Sequence, residues 1–128
     1  MHVTRPFAVL IAATALAVAI PAFAHPQLVA ADPAQGAVVA GVGRVALTFS
    51  EPLVAQMSGI ALMMTGMPGM EHHAAMKMTG VRVSVGPDRK SLVAVLPRPL
   101  PVGSYEADWH AVSTDTHRVT GKLTFEVR

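Results

Sequence analysis

Tyr105-Glu106-Ala107-Asp108-Trp109-His110-Ala111 sets four apolar side chains at odd positions against three polar ones at even positions. A strand turns successive side chains to opposite faces, so a period of two predicts one face on a core and the other in water. Trp109 and Tyr105 should therefore point inward, and His110 outward as a surface residue. The pattern recurs on either side. Val45, Leu47 and Phe49 alternate with Arg44, Ala46 and Thr48; Val81, Val83 and Val85 with Arg82 and Ser84; Leu123, Phe125 and Val127 with Lys122, Thr124 and Glu126. Residues 91–96 read as a buried strand, and residues 28–32 and 59–63 as weaker ones. Turn formers separate the runs: Asp32-Pro33 with Gly36, Gly41 and Gly43, then Gly86-Pro87-Asp88, residues 97–103, and Gly121. About seven short strands with no helical period predict an all-β domain, a sandwich or Greek-key barrel. Trp109, Phe49 and Phe125 should lie at its centre.

The 128 residues allow one such domain, and their composition narrows its role. There is no cysteine, which excludes a disulfide scaffold, a thiolate metal site and a cysteine nucleophile. Ten Lys and Arg against eight Asp and Glu give a net charge of +2, too balanced for a basic nucleic-acid-binding face. Residues 7–20 form a nearly unbroken apolar run after Arg5, and Pro21-Ala22-Phe23-Ala24 follows. A short basic start, a short apolar stretch and an Ala-x-Ala ending predict a secretory signal peptide over residues 1–24, cleaved after Ala24. The run is shorter than the roughly 20 residues of a spanning helix. The domain would then cover residues 25–128, begin at His25, and reside in a bacterial periplasm.

Residues 64–79 carry no sustained period and read as a long loop. All seven methionines after residue 24 fall between Met57 and Met78, and the loop reads Met64-Thr-Gly-Met67-Pro-Gly-Met70-Glu-His72-His73-Ala-Ala-Met76-Lys-Met78. Core methionines would be dispersed among apolar neighbours. These stand beside Gly, Pro, Glu and His. Thioethers are neutral and polarisable, and they bind Cu(I) well and hard cations poorly. The spacing of Met64, Met67 and Met70, with Gly66 and Pro68-Gly69 between them, lets several sulfurs converge on one ion. Core packing and an oxidation-prone tether are the competing readings.

A chain starting at His25 carries an α-amine and an imidazole on one residue, a chelate suited to the nitrogen-rich geometry of Cu(II). Pro26 offers no backbone N–H for a metal to displace. Farther on, Thr114-Asp115-Thr116-His117 places Asp115 and His117 two apart. In an extended segment they share a face and can meet one ion, or Asp115 can hold His117 by a hydrogen bond. Asp-x-His alone is weak, and Ser113, Thr114 and Asp115 are also good turn formers. Glu51 follows a strong strand in Phe49-Ser50-Glu51-Pro52 and is a candidate carboxylate or a solvated strand end. His73 is a spare ligand or an exposed residue.

These fragments together resemble the CopC/PcoC family of periplasmic copper-binding proteins. The resemblance runs through His25-Pro26-Gln27-Leu28-Val29, Phe49-Ser50-Glu51 and Met64-Thr-Gly-Met67-Pro-Gly-Met70-Glu-His72. It ends with Tyr105-x-x-Asp108-Trp109-x-Ala111-Val112-Ser113-x-Asp115-x-His117-x-x-x-Gly121. It implies a seven-stranded, cupredoxin-like (Ig-like) barrel with two copper sites. The Cu(II) site would use His25, His117 and Asp115, with Glu51 associated. The Cu(I) site would use Met64, Met67, Met70, His72 and Met76. One extra residue in His73-Ala-Ala leaves His72 or His73, and Met76 or Met78, as alternatives.

The expected function is a periplasmic copper carrier or buffer for resistance or homeostasis, not an enzyme. The resemblance adds a CopD-type membrane protein as a partner that receives or moves copper. Two rivals stand beside it. A copper monooxygenase is also built on an N-terminal histidine chelate, but it generally presents an aromatic or flat substrate face. A metal-free β-sandwich interaction module would make the methionines incidental.

Overall fold

The computed structural model describes residues 25–70 and 74–128. The predicted signal segment, His72 and His73 lie outside the described residues. The domain is all β. Seven strands have four or more residues: β1 (Leu28–Asp32), β3 (Arg44–Phe49), β4 (Gly59–Gly66), β6 (Arg82–Val85), β7 (Ser91–Val95), β8 (Gly103–Val112) and β9 (Arg118–Val127). Two-residue strands, β2 (Val38–Val39) and β5 (Met76–Lys77), and a 3-10 turn at Ala55–Met57 complete the described elements. None of the described helices is long and apolar enough to cross a membrane.

The strands form two sheets, β1-β3-β7-β6 and β2-β9-β8-β4-β5. Alternation explains the layering. Val45, Leu47 and Phe49 of β3 and Leu92 and Ala94 of β7 face the odd positions 105–111 of β8 across the core. Phe49 of one sheet meets Trp109 of the other edge-on, ring centroids 5.1 Å apart. Tyr105 stacks on Phe125 at 5.5 Å and donates its hydroxyl hydrogen to the Pro101 carbonyl at 2.6 Å, so its one polar atom is satisfied.

Three expectations need correction. Gly121, read as a turn between strands, lies inside β9. Val83 is 37% exposed, because β6 is an edge strand and its Val-x-Val alternation meets little of the opposite sheet. The supposed loop from residue 64 is in part strand: β4 continues to Gly66, and Met64 is a core residue, 5% exposed.

Trp109 lies directly opposite Gly121 in the β8–β9 ladder. A Cβ on Gly121 would sit 2.3 Å from the Trp109 ring, which also packs edge-on against Phe49. Gly121→Ala is therefore expected to overpack the core and destabilise the domain by about 2 kcal/mol. Urea unfolding followed by fluorescence of the single tryptophan measures it; an unchanged midpoint would contradict the packing.

Candidate metal centre

Two groups of candidate ligands lie at opposite ends of β8. The first sits where β8 passes into β9. Pro26 is fully buried and anchors the start of β1, while the exposed His25 precedes it. The Gln27 N–H donates to Ser50 Oγ at 2.9 Å, and the Ser50 N–H to the Gln27 carbonyl at 2.8 Å. This clamp carries His25 to His117, where the two rings meet edge-on with centroids 4.3 Å apart.

His117 is held from behind. Its Nδ1 lies 2.9 Å from Asp115 Oδ2. The Ser113 hydroxyl donates to Asp115 Oδ1. The Ser113 N–H closes the turn on the His117 carbonyl at 3.0 Å, and Thr116 takes a positive φ of 74° inside it. Of the two arrangements open to Asp-x-His, the geometry is the one in which the carboxylate orients the ring. With Nδ1 engaged, Nε2 is the nitrogen left to face an ion. The Ser113 contact is not legible in the sequence, where Ser113 reads as a turn former.

Glu51 is carried to the same end by the crossing segment after β3. There Thr114 N–H bonds the Pro52 carbonyl at 3.1 Å and Leu53 bridges to Ser113. Glu51 is half-buried and makes no described hydrogen bond to His25, Asp115 or His117. His110 lies on the outer face of β8 with its ring over Gly59, where an added Cβ would be 2.8 Å from Cε1. Among the described residues no three His, Asp or Glu side chains gather into a ready-made cation cage.

Hydrogen bonds from Ser113 and then His117 hold the Asp115 carboxyl at about 2, below its ordinary 3.8. A carboxyl depressed by folding stabilises the fold above its unfolded value, and the contribution fades as pH falls through the folded one. The metal-free wild type should thus melt above Asp115→Asn at neutral pH. The gap should close as pH drops from about 4 to about 2, a window bounded by those two values. Melting temperature against pH for both proteins is the measurement. A gap that persists at the acid end would contradict the assignment.

The second group lies where β8 begins. Met64 pairs with Tyr105 on one side and with Met76 of β5 on the other. Directly opposed residues share a face, so Met64 and Met76 lie on the same side of the sheet, Met64 buried and Met76 49% exposed. Met78 is tied to β4 by its N–H on the Leu62 carbonyl at 2.8 Å and packs on the core. Met67-Pro68-Gly69-Met70 is a tight turn closed by reciprocal hydrogen bonds of 3.0 and 2.9 Å between Met67 and Met70. Gly69 supplies the φ of +81° that the turn needs after proline. Met67 is partly buried against the core and Met70 is 56% exposed. Met63, opposite Lys77, faces the other way. From Ser104, paired with Gly66, to Val112, paired with Arg118 next to His117, β8 spans eight residue steps, or about 27 Å.

Residues 28–128 match the model of the CopC domain. Copper resistance protein C of Pseudomonas syringae pv. tomato is 45% identical over the whole of both chains. Copper resistance protein C of Escherichia coli is 43% identical over 94% of this chain and 95% of its own. The crystal structure of PcoC, a methionine-rich copper resistance protein from Escherichia coli, superposes with a TM-score of 0.74. It does so at 43% identity, over 82% of this chain and all of that one. A match spanning nearly all described residues, on the same two-sheet fold, places the chain in the CopC domain family.

Proposed function

We propose that this protein is an exported copper carrier or buffer of the periplasm, serving copper resistance or homeostasis. Copper is its cargo, held at two places according to valence. Cu(II) binds at the histidine end through the α-amine and imidazole of a processed His25 together with His117, which Asp115 orients. Glu51 is the adjacent carboxylate. Cu(I) binds at the methionine end through Met64, Met67, Met70 and Met76, with His72 or His73 as the nitrogen donor and Met78 as the alternative to Met76.

The observation that carries this reading is the His25–His117 contact, with Nδ1 of His117 fixed by a carboxylate. Two imidazoles in contact, one of them oriented by a carboxylate, suit a centre completed by the amine that export would uncover. The relatives' names, copper resistance protein C, support the same cargo. Burial of Trp109 and Tyr105 favours a carrier over an oxidising enzyme, since neither ring is available as a substrate face. A CopD-type membrane protein is the proposed recipient.

The test is copper titration of protein beginning at His25, with Cu(II) in air and with Cu(I) under anaerobic reduction. One equivalent of each, filling independently, is expected. No uptake of either valence would overturn the carrier, and mutual exclusion would overturn two separate sites. Steady oxygen consumption with ascorbate would instead mark an enzyme.

A further inference from the structure

Met57 stands apart from the other methionines. It precedes Gly59, which pairs with His110 near the end of β8, whereas Met64 pairs with Tyr105 near its start. Strand β4 therefore separates Met57 from the methionine end and leaves it at the histidine end. The turn that carries it is fastened there twice. The Val54 N–H bonds the Val112 carbonyl at 2.8 Å, and the Val112 N–H bonds Ser58 Oγ at 3.0 Å. Val112 is the neighbour of Ser113, whose hydroxyl holds Asp115 and whose N–H closes on His117.

Met57 has no packing role to explain it. It is 53% exposed, and none of the residues in the Ala55–Met57 turn is buried. An unbranched thioether in water, on a turn bound to the rim of a two-histidine group, is a free soft donor. Imidazole accepts either valence of copper, while a thioether favours the reduced one.

We propose that Met57 is a third donor at the histidine end, engaged when the bound ion is Cu(I). This deepens the copper reading above and rests on it. Cu(II) at His25 and His117 takes one electron from an external enediol reductant such as ascorbate. The ascorbate monoanion becomes its radical anion and releases a proton to water, and no protein bond forms or breaks. The thioether sulfur then donates to the Cu(I) beside the two imidazoles. Reduction thus leaves the ion held at this end until it passes to a donor set richer in sulfur, the methionine end included.

The test uses protein starting at His25 with Met67, Met70 and Met76 changed to Leu, which silences the exposed donors of the methionine end. This protein and its Met57→Leu derivative are loaded with Cu(II) and reduced by ascorbate without oxygen. Both are then challenged with bicinchoninate, a coloured Cu(I) chelator. Met57→Leu should lower Cu(I) affinity at least about tenfold, with Cu(II) affinity changed by less than about twofold. X-ray absorption should show a sulfur neighbour to Cu(I) that disappears in the derivative. Equal Cu(I) retention, or a sulfur neighbour that survives Met57→Leu, would overturn the inference while intact Cu(II) binding left the carrier reading standing. Failure of the parent to bind Cu(II) would overturn both. The exposed turn contributes nothing to the core, so both proteins should melt alike, and matching melts confirm that the comparison is between folded molecules.

Discussion

One additional residue ahead of His25 is expected to weaken Cu(II) binding about a thousandfold, roughly 4 kcal/mol. The added peptide bond turns the α-amine into an amide nitrogen, and the chelate on residue 25 is lost. Pro26 has no N–H to offer in its place. The rest of the centre is untouched, because Pro26 remains buried and the Gln27–Ser50 clamp still delivers the imidazole to His117. The added residue brings its own α-amine, so a form with the His25 amine acetylated is the control that isolates the amine's contribution from folding. The processed protein should also bind Cu(II) less well as pH falls, since protons compete with the metal for its nitrogen donors. Competition titration against a Cu(II) chelator, with paramagnetic resonance to follow the nitrogen donors, measures both. Equal affinities with and without the added residue would remove the amine from the site.

The fold was legible because β8 and its neighbours write their geometry locally. A residue's face follows from its parity, and Tyr105, Trp109 and Phe125 are buried as their parity requires. Strand β4 was harder to read. Ile60, Leu62 and Met64 point inward, but Ala61 and Met63 on the outer face are also apolar, and the next inward position is Gly66, which has no side chain. Its alternation is therefore blurred, and the sequence pattern places Met64 in a loop although it lies in the core. Val83 shows the converse failure: its pattern is clear, but exposure depends on standing at a sheet edge, which no local pattern encodes. The candidate ligands divide the same way. Asp115 and His117 are neighbours in sequence and could be read together. The meeting of His25 with His117 depends on how β1 and β9 are placed by the two sheets. Met57 looks contiguous with the methionine segment, and only the length of β4 reveals that it belongs to the opposite end.

That division makes the methionine end separately removable. Replacing Met67, Met70 and Met76 by Leu is expected to lower Cu(I) affinity at least about a hundredfold, roughly 2.7 kcal/mol, with Cu(II) affinity held within about twofold. Leu nearly preserves volume and hydrophobicity but has no lone pair, so the exchange removes donors while sparing packing. Met70 and Met76 are about half exposed and Met67 only partly buried, so the fold should tolerate all three changes. Met64 calls for its own variant because it lies in the core, its terminal methyl 3.2 Å from where a Cβ on Gly103 would stand. Met64→Leu should cost less than about 1.5 kcal/mol of stability. Any further fall in Cu(I) affinity beyond the triple variant then reports a sulfur that reaches the ion from inside. Bicinchoninate competition under anaerobic conditions supplies the Cu(I) values, and chelator competition in air the Cu(II) values. Unchanged Cu(I) affinity in the combined variant would remove the methionines from the site. A parallel fall for both valences would mean that one centre serves both, which the length of β8 between the two groups argues against.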